Sequence, residues 1–282
     1  MRQVKLGQKI INAFSQWLLK NAPPKRAYLS DFQQICTKIL PGDVLLVEGR
    51  SRISAFVKRV TQSPWSHAML YIGHLQEITD PTLRNKITQY CQCQPETQLI
   101  VESEMGKGTI VNPIRNYEND HIRILRPGGL AAEDAEKVIS YAIGRLGAHY
   151  SIRNVLDLFR ILMPWTLLPQ KWGAYLFQHS NSQTMEDICS SMIAEAFQSV
   201  HFPILPLVSL DSEKNIELTE RNPRLFTPSD FDFSPYFSII KYPIFPVEES
   251  AYYHNLPWKK EMRASNNKQY EDKGEGSGPL GG

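Results

Sequence analysis

Five short segments rich in β-branched residues fill the first half of the chain, and amphipathic helical segments follow them. The strand-like segments are residues 43–48, 66–73, 99–104, 109–114 and 121–125. Each has the length and the residue types of a β-strand. Because the strands come first and the helices afterwards, instead of alternating with them, the order predicts an α+β fold.

Two later segments have the periodicity of helices that are buried on one side. In residues 131–146 the apolar positions recur at helical spacing, and they are Ala135, Val138, Ile139, Ala142, Ile143 and Leu146. A second helix is predicted to start near Asp187, whose side chain can accept hydrogen bonds from the amides of the first turn. A short helical stretch is predicted at residues 53–60. The polar segment between Gly73 and Gln98 predicts a variable surface loop.

The two ends of the chain differ in composition from its middle. Residues 7–20 predict an amphipathic helix that ends at Pro23-Pro24, so residues 1–25 are expected to be a separate N-terminal helix. This helix either packs on its own domain or, because it is basic and contains Trp17, lies on a membrane surface. The tail at residues 259–282 is charged and then Gly/Ser-rich, which predicts disorder.

Charge and cysteine content exclude several classes of protein. The formal net charge is +2 and no basic stripe with interleaved aromatic residues occurs, so no nucleic-acid partner is expected. Cys91 and Cys93 lack the second ligand pair of a structural zinc site, so two ordinary loop cysteines, no metal and no cofactor are expected. The sequence shows no disulfide framework, no signal peptide and no run of roughly 18 apolar residues. A cytoplasmic protein is therefore expected, and peripheral contact with a membrane stays open.

Three residues are candidates for a cysteine nucleophile, its base and the carboxylate that orients the base. Cys189 falls in the first turn after Asp187, where free amides and the helix dipole lower the pKa of a thiol. His67 lies within a strand-like stretch, where a lone histidine is usually structural. Glu102 has apolar neighbours, so its carboxylate needs a partner, and Arg123 is one alternative. Taken singly, none of these residues establishes an enzyme.

Four motifs together resemble the NlpC-type papain-like hydrolases. Residues 41–46 (PGDVLL) followed by 65–73 (WSHAMLYIG) are similar to the half of that family that carries the catalytic histidine. Residues 146–150 (LGAHY) followed by 187–191 (DICSS) are similar to the half that carries the nucleophile. The cysteine half comes first in the ordinary family, whereas the histidine half comes first here. The chain therefore resembles the permuted branch, which includes YiiX-like bacterial proteins and, more distantly, the relatives of lecithin:retinol acyltransferase.

The resemblance covers residues 40–240 and includes the Thr-Pro-x-Asp segment at residues 227–230. It implies a circularly permuted papain-like fold, in which an antiparallel sheet packs on a nucleophile-bearing helix. Residues 26–250 would form this catalytic domain. Two departures from the family pattern are Ala148, where many relatives carry proline, and Ser190-Ser191, where Ser-Gly is common.

Carried over residue by residue, the resemblance assigns Cys189 as the nucleophile and His67 as its base. Glu102 would be the third member of the triad, with Glu104, on the same strand face, as the fallback. Tyr150 matches a tyrosine near the nucleophile and would donate to the substrate oxygen beside the Cys189 amide.

The implied activity is cleavage of an amide or ester bond through an acyl-enzyme intermediate. One alternative is a lipid-directed thioesterase or acyltransferase at a membrane surface, for which the apolar segment at residues 158–168 could form a substrate wall. The other alternative is a non-catalytic binding module on the same fold. The expected partner is a small-molecule, peptide or lipid acyl substrate.

Overall fold

A computed structural model describes residues 31–104, 107–148, 189–210 and 213–243, together with Pro23, Ala251, His254 and Leu256. The chain divides into two compact units at residues 242 and 243, and every helix and strand given below belongs to the first unit. The predicted tail at residues 259–282 lies outside the described residues, as does the predicted N-terminal helix apart from Pro23. Within the described part of the chain, no helix is long and apolar enough to cross a membrane.

Strands precede the principal helices, as the sequence predicts. The strands are β1 (Val44–Glu48), β2 (His67–His74), β3 (Gln98–Glu104), β4 (Gly108–Pro113), β5 (His121–Pro127), β6 (Leu207–Leu210), β7 (Ile216–Thr219) and β8 (Phe237–Ile240). The helices are α1 (Phe32–Lys38), α2 (Arg52–Thr61), α3 (Pro81–Tyr90), α4 (Ala132–Gly144), α5 (Cys189–Gln198) and α6 (Pro228–Phe233). Short 3-10 turns occupy Leu75–Glu77, Ile114–Tyr117 and Pro223–Leu225. The predicted α+β class is confirmed.

Six of the strands form one sheet in the order β4-β3-β2-β1-β5-β8, and every neighbouring pair is antiparallel. Strand β1 is central, and its Val47 lies opposite His67 of β2 on one side and Ile122 of β5 on the other. Strands β6 and β7 form a separate exposed hairpin. Strands β1 to β5 coincide with the five segments predicted from the sequence.

A separate hydrophobic core covers each face of the sheet, because successive side chains of a strand point to opposite faces. We call these faces the α5 face and the α1 face. On the α5 face, the strand residues include Leu46, Ala68, Leu70 and Val101, and they pack with α4 and α5. On the α1 face, the strand residues include Leu45, Met69, Tyr71 and Ile100, and they pack with Ile35 and Ile39.

Helix α5 ends near the end of the sheet at which β5 terminates. The ring of Phe197 lies 5.3 Å from that of Phe237, and Phe237 pairs with Pro127, the last residue of β5. Since β2 and β5 both run antiparallel to β1, they begin at the same end of the sheet. The start of α5, at Cys189, is therefore directed toward the end where β2 begins with His67.

The polar segment between Gly73 and Gln98 contains α3, so the prediction of a surface loop is wrong. Asp80 caps this helix by accepting a hydrogen bond from the Thr82 amide, and Pro81 occupies the first helical position. Only Ile87 of α3 is fully buried. The helix therefore lacks the repeated apolar positions by which a helix is recognised in a sequence.

Cys91 and Cys93 are joined as a disulfide, with their Cα atoms 5.4 Å apart. The expectation of two separate loop cysteines is therefore wrong. The Cα spacing falls within the usual range for disulfides, so a single intervening residue is enough for the pair to meet. Cys36 carries a free thiol, and its burial raises the pKa of that thiol.

Gly147 gives a test of how the end of α4 joins the sheet. Its φ is 83°, its amide donates to the Thr109 carbonyl, and an added Cβ would collide with Tyr90. We expect Gly147→Ala to lower the free energy of unfolding by about 1–3 kcal/mol, because the left-handed backbone and the collision both oppose a side chain. Chemical denaturation measures this. Gly144→Ala is the matched control, since nothing lies within 4 Å of its added Cβ, and an equal loss in both variants would contradict the expectation.

Candidate active site

The base and the carboxylate proposed from the sequence contact each other directly. His67 is the first residue of β2, and its Nε2 lies 2.5 Å from Oε2 of Glu102 on the neighbouring strand β3. Strand alternation places both side chains on the α1 face, His67 with Met69 and Glu102 with Ile100. The Glu102 side chain has no exposed surface, whereas that of His67 is 20% exposed. The pair thus joins a buried carboxylate to a ring that reaches the surface.

Two further side chains donate hydrogen bonds to the Glu102 carboxylate. Asn112 Nδ2, from β4, donates to Oε1 over 2.8 Å, and the Tyr117 hydroxyl donates to Oε2 over 2.5 Å. Tyr117 ends the 3-10 turn that follows β4, and its ring stacks beside that of His67 with centroids 6.3 Å apart. Both carboxylate oxygens are therefore hydrogen-bonded, and Oε2 accepts from two donors.

These hydrogen bonds decide the charge of the buried group. Burial by itself raises the pKa of Glu102, but the hydrogen bond and charge of His67, together with the hydrogen bonds from Tyr117 and Asn112, outweigh burial and lower it. Burial and the neighbouring Glu102 charge raise the pKa of Tyr117 far above the neutral range. At neutral pH Glu102 is thus a carboxylate and Tyr117 a neutral donor.

The ionised carboxylate fixes the tautomer of the neutral His67 ring. A carboxylate only accepts hydrogen bonds, so Nε2 of His67 carries the hydrogen that faces Glu102. The nitrogen of the neutral ring that takes up a proton is therefore Nδ1. This arrangement matches a general base held in one tautomer by a carboxylate.

The other partners considered for these residues have different contacts. Glu104, the fallback for the third position, pairs with Lys107 over 2.9 Å and is partly exposed. Arg123, the alternative partner of Glu102, instead binds both oxygens of Asp232 over 2.6 and 2.9 Å. Of the two acidic residues, Glu102 is the one that contacts His67.

The predicted nucleophile is the first residue of α5, although the Cys189 side chain lies outside the described residues, as do Tyr150 and Asp187. The helix itself is firmly attached near its start. Ser190 is fully buried, and its hydroxyl donates to the Phe226 carbonyl over 2.6 Å.

Helix α4 holds the middle of α5 through one carboxylate. Glu195 accepts hydrogen bonds from the Tyr141 hydroxyl over 2.9 Å and from Arg145 over 2.7 Å. The end of α4 is in turn joined to the start of β4, because the Thr109 amide donates to the Ala148 carbonyl. The helix that carries Cys189 is thus tied to the end of the sheet where β2 and β4 begin.

Sequence reasoning missed Asn112 and Tyr117. Asn112 lies opposite Ile100 in the register of β3 and β4, so its amide belongs to a buried face on which a polar residue needs a partner. That signal was present in the strand pattern. Tyr117 lies in the turn beyond the strand, and no periodicity indicates the direction of its hydroxyl. Within the described part of the chain, no three His, Cys, Asp or Glu residues are grouped so that they could hold a metal ion.

Comparison with protein families finds a matching family model. The model of a permuted papain-like amidase family, YaeF/YiiX or C92, matches residues 38–157. Over this range, which is less than half of the chain, the protein is similar to that permuted papain-like family. The match bears out the permuted papain-like fold and the papain-like hydrolase class expected from the sequence. The matched range includes His67, Glu102, Asn112 and Tyr117 and ends before Cys189.

A solved structure to which the chain is similar is the crystal structure of the metalloprotein yiiX from Escherichia coli O157:H7. It is 12% identical in sequence, the match covers 71% of this chain and 96% of that chain, and the TM-score is 0.42. Comparison with curated proteins finds no match. The more distant relation to lecithin:retinol acyltransferase stays a prediction.

The lowered pKa of Glu102 predicts a specific dependence of stability on pH. A carboxyl group with a lower pKa in the folded state stabilises the fold above its unfolded value of about 4.3, and this contribution is lost as the pH falls through the folded value. We expect Glu102→Gln to lower the free energy of unfolding by about 2 kcal/mol at pH 7 and by much less at pH 3. Denaturant unfolding at both pH values measures the difference.

Glu104→Gln is the matched control, because Glu104 lies on the same strand but is partly exposed and pairs with Lys107. Its effect should be small at both pH values. A Glu102→Gln effect that is independent of pH would contradict an ionised Glu102 in the folded protein.

Proposed function

We propose that the protein is a cysteine amidase in which Cys189, His67 and Glu102 act as a catalytic triad. The observation that carries the proposal is the buried Glu102 carboxylate, which binds Nε2 of His67 and leaves Nδ1 as the basic nitrogen. The direction of α5 supports it, because this helix starts with Cys189 and is directed toward the end of the sheet where β2 begins.

The first half of the reaction forms an acyl-enzyme. Nδ1 of His67 takes the proton of the Cys189 thiol, and the thiolate attacks the carbonyl carbon of the amide. The C–N bond then breaks, and the imidazolium gives its proton to the leaving nitrogen. Glu102 keeps its negative charge throughout, since its role is to orient and stabilise the imidazolium.

The second half of the reaction releases the acyl group. His67 takes a proton from a water molecule, whose oxygen attacks the thioester carbon. The C–S bond breaks, the Cys189 sulfur recovers its proton from the imidazolium, and a carboxylic acid leaves. In both halves, the Cys189 amide and the Tyr150 hydroxyl would donate to the negative oxygen of the tetrahedral intermediate.

An amide is the preferred substrate because the matched family is one of amidases. The lipid-directed alternative rests on the apolar segment at residues 158–168, which lies outside the described residues. Small-molecule, peptide and lipid acyl groups all remain within the proposal, as does a cytoplasmic location with peripheral membrane contact.

Thiol labelling tests the proposal before a substrate is known. We expect iodoacetamide to modify Cys189 rapidly at pH 6, well below the usual thiol pKa of about 8.5, because a nearby imidazolium and the start of α5 stabilise the thiolate. We expect His67→Ala to slow this labelling by about tenfold or more. Rates come from peptide mapping at several pH values.

Cys36 provides an internal control in the same samples, because burial raises the pKa of its thiol. Its labelling should be slow at pH 6 and insensitive to His67→Ala. Labelling of Cys189 as slow as that of Cys36, or unchanged by the loss of His67, would overturn the triad.

A further inference from the structure

One oxygen of Glu102 is shared between the base and a second donor. Oε2 accepts from Nε2 of His67 and from the Tyr117 hydroxyl, each over 2.5 Å, while Oε1 accepts from Asn112 over 2.8 Å. The three donors come from β2, from the turn that follows β4, and from β4 itself.

We propose that Tyr117 and Asn112 are positioning residues that set the orientation and basicity of His67 through Glu102. The catalytic consequence of this inference rests on the proposed function, whereas its geometry and its test do not. Both residues act on His67 through the Glu102 carboxylate, to which each of them donates a hydrogen bond.

The effect on basicity follows from charge. A hydrogen bond to Oε2 offsets part of the negative charge that stabilises the His67 imidazolium, so the Tyr117 hydroxyl makes the ring less basic than the carboxylate alone would make it. The Asn112 amide acts in the same direction through Oε1, whereas Nε2 of the ring binds Oε2. Removing either donor should therefore raise the basicity of His67, and removing Tyr117 should raise it more.

The effect on orientation follows from packing. The Tyr117 ring lies beside that of His67 at an interplanar angle of 23°, so it limits rotation of the imidazole on one side. Tyr117 is itself held in place, because Ile114 of the same turn is buried on the α1 face and the Tyr117 carbonyl accepts from the Asp120 amide. The turn thus presents a fixed ring and a fixed hydroxyl to the pair.

Two acidic residues outside the cluster also act on Tyr117. Glu104 and Asp120 act on Tyr117 at longer range, and both favour its neutral, hydrogen-bond-donating form. Glu104 is itself paired with Lys107. We expect the titration of His67 to respond to the loss of either donor on Glu102.

The test is a nuclear magnetic resonance titration of the His67 ring in protein with ¹⁵N-labelled histidine. Cys189→Ala serves as the background, so that the thiol does not titrate with the ring. We expect Tyr117→Phe to raise the His67 titration midpoint by roughly half a pH unit or more, and Asn112→Ala to raise it by less. Tyr71→Phe is the matched control, because it removes another buried tyrosine hydroxyl from the α1 face, one that binds Gln98 and not Glu102.

Three results would overturn the inference. One is a midpoint that Tyr117→Phe leaves unchanged, and another is a shift no larger than that of Tyr71→Phe. The third is a Tyr117→Phe shift that persists in a Glu102→Gln background, because the effect would then not pass through the carboxylate. Failure of the proposed function has a different signature: the midpoint shifts as expected, while Cys189 in the otherwise unaltered chain is labelled no faster than Cys36.

Discussion

The carboxylate of Glu102 is the interaction on which the rest of the site depends. An ionised carboxyl group without solvent is costly unless hydrogen bonds replace the lost water, and here three donors do so. They come from β2, β4 and the following turn, so the group is tolerated only when these elements are correctly aligned. A shift of β4 by one residue would move Asn112 to the opposite face and leave Oε1 without that donor. The geometry of the site therefore depends on the register of the sheet.

The site also depends on how the two sides of the sheet are joined. His67 and Glu102 lie on the α1 face, whereas α5 packs on the other face. The His67–Glu102 pair and the start of α5 can approach each other only at one end of the sheet. Strand β2 begins at that end with His67, and α5 is directed toward it. The Glu195 link to α4 and the Ser190 hydrogen bond keep the helix in that position. The permuted chain order is compatible with this arrangement, since only spatial position matters to a triad.

The sequence predicted the sheet from strong local signals, whereas the pairing of His67 with Glu102 came from the family resemblance. Strands β1 to β5 contain dense β-branched residues, and a carboxylate at Glu102 stands out among apolar neighbours. Helix α3 was missed because it buries only Ile87 fully, and β8 because four residues are too few to show alternation. Contacts that depend on tertiary structure, such as the Tyr117 hydroxyl on Glu102 and the Cys91–Cys93 disulfide, leave no periodic trace in the sequence.

The central claim is that Cys189 reaches the end of the sheet that carries His67. The most direct measurement is crosslinking with a short bis-maleimide, which alkylates two thiols, in a chain whose other cysteines, Cys36, Cys91 and Cys93, are replaced by serine. With His67→Cys, the account predicts an efficient intramolecular crosslink to Cys189, and with His74→Cys, at the opposite end of the same strand, it predicts none. Equal crosslinking of both variants, or none with His67→Cys, would contradict the account.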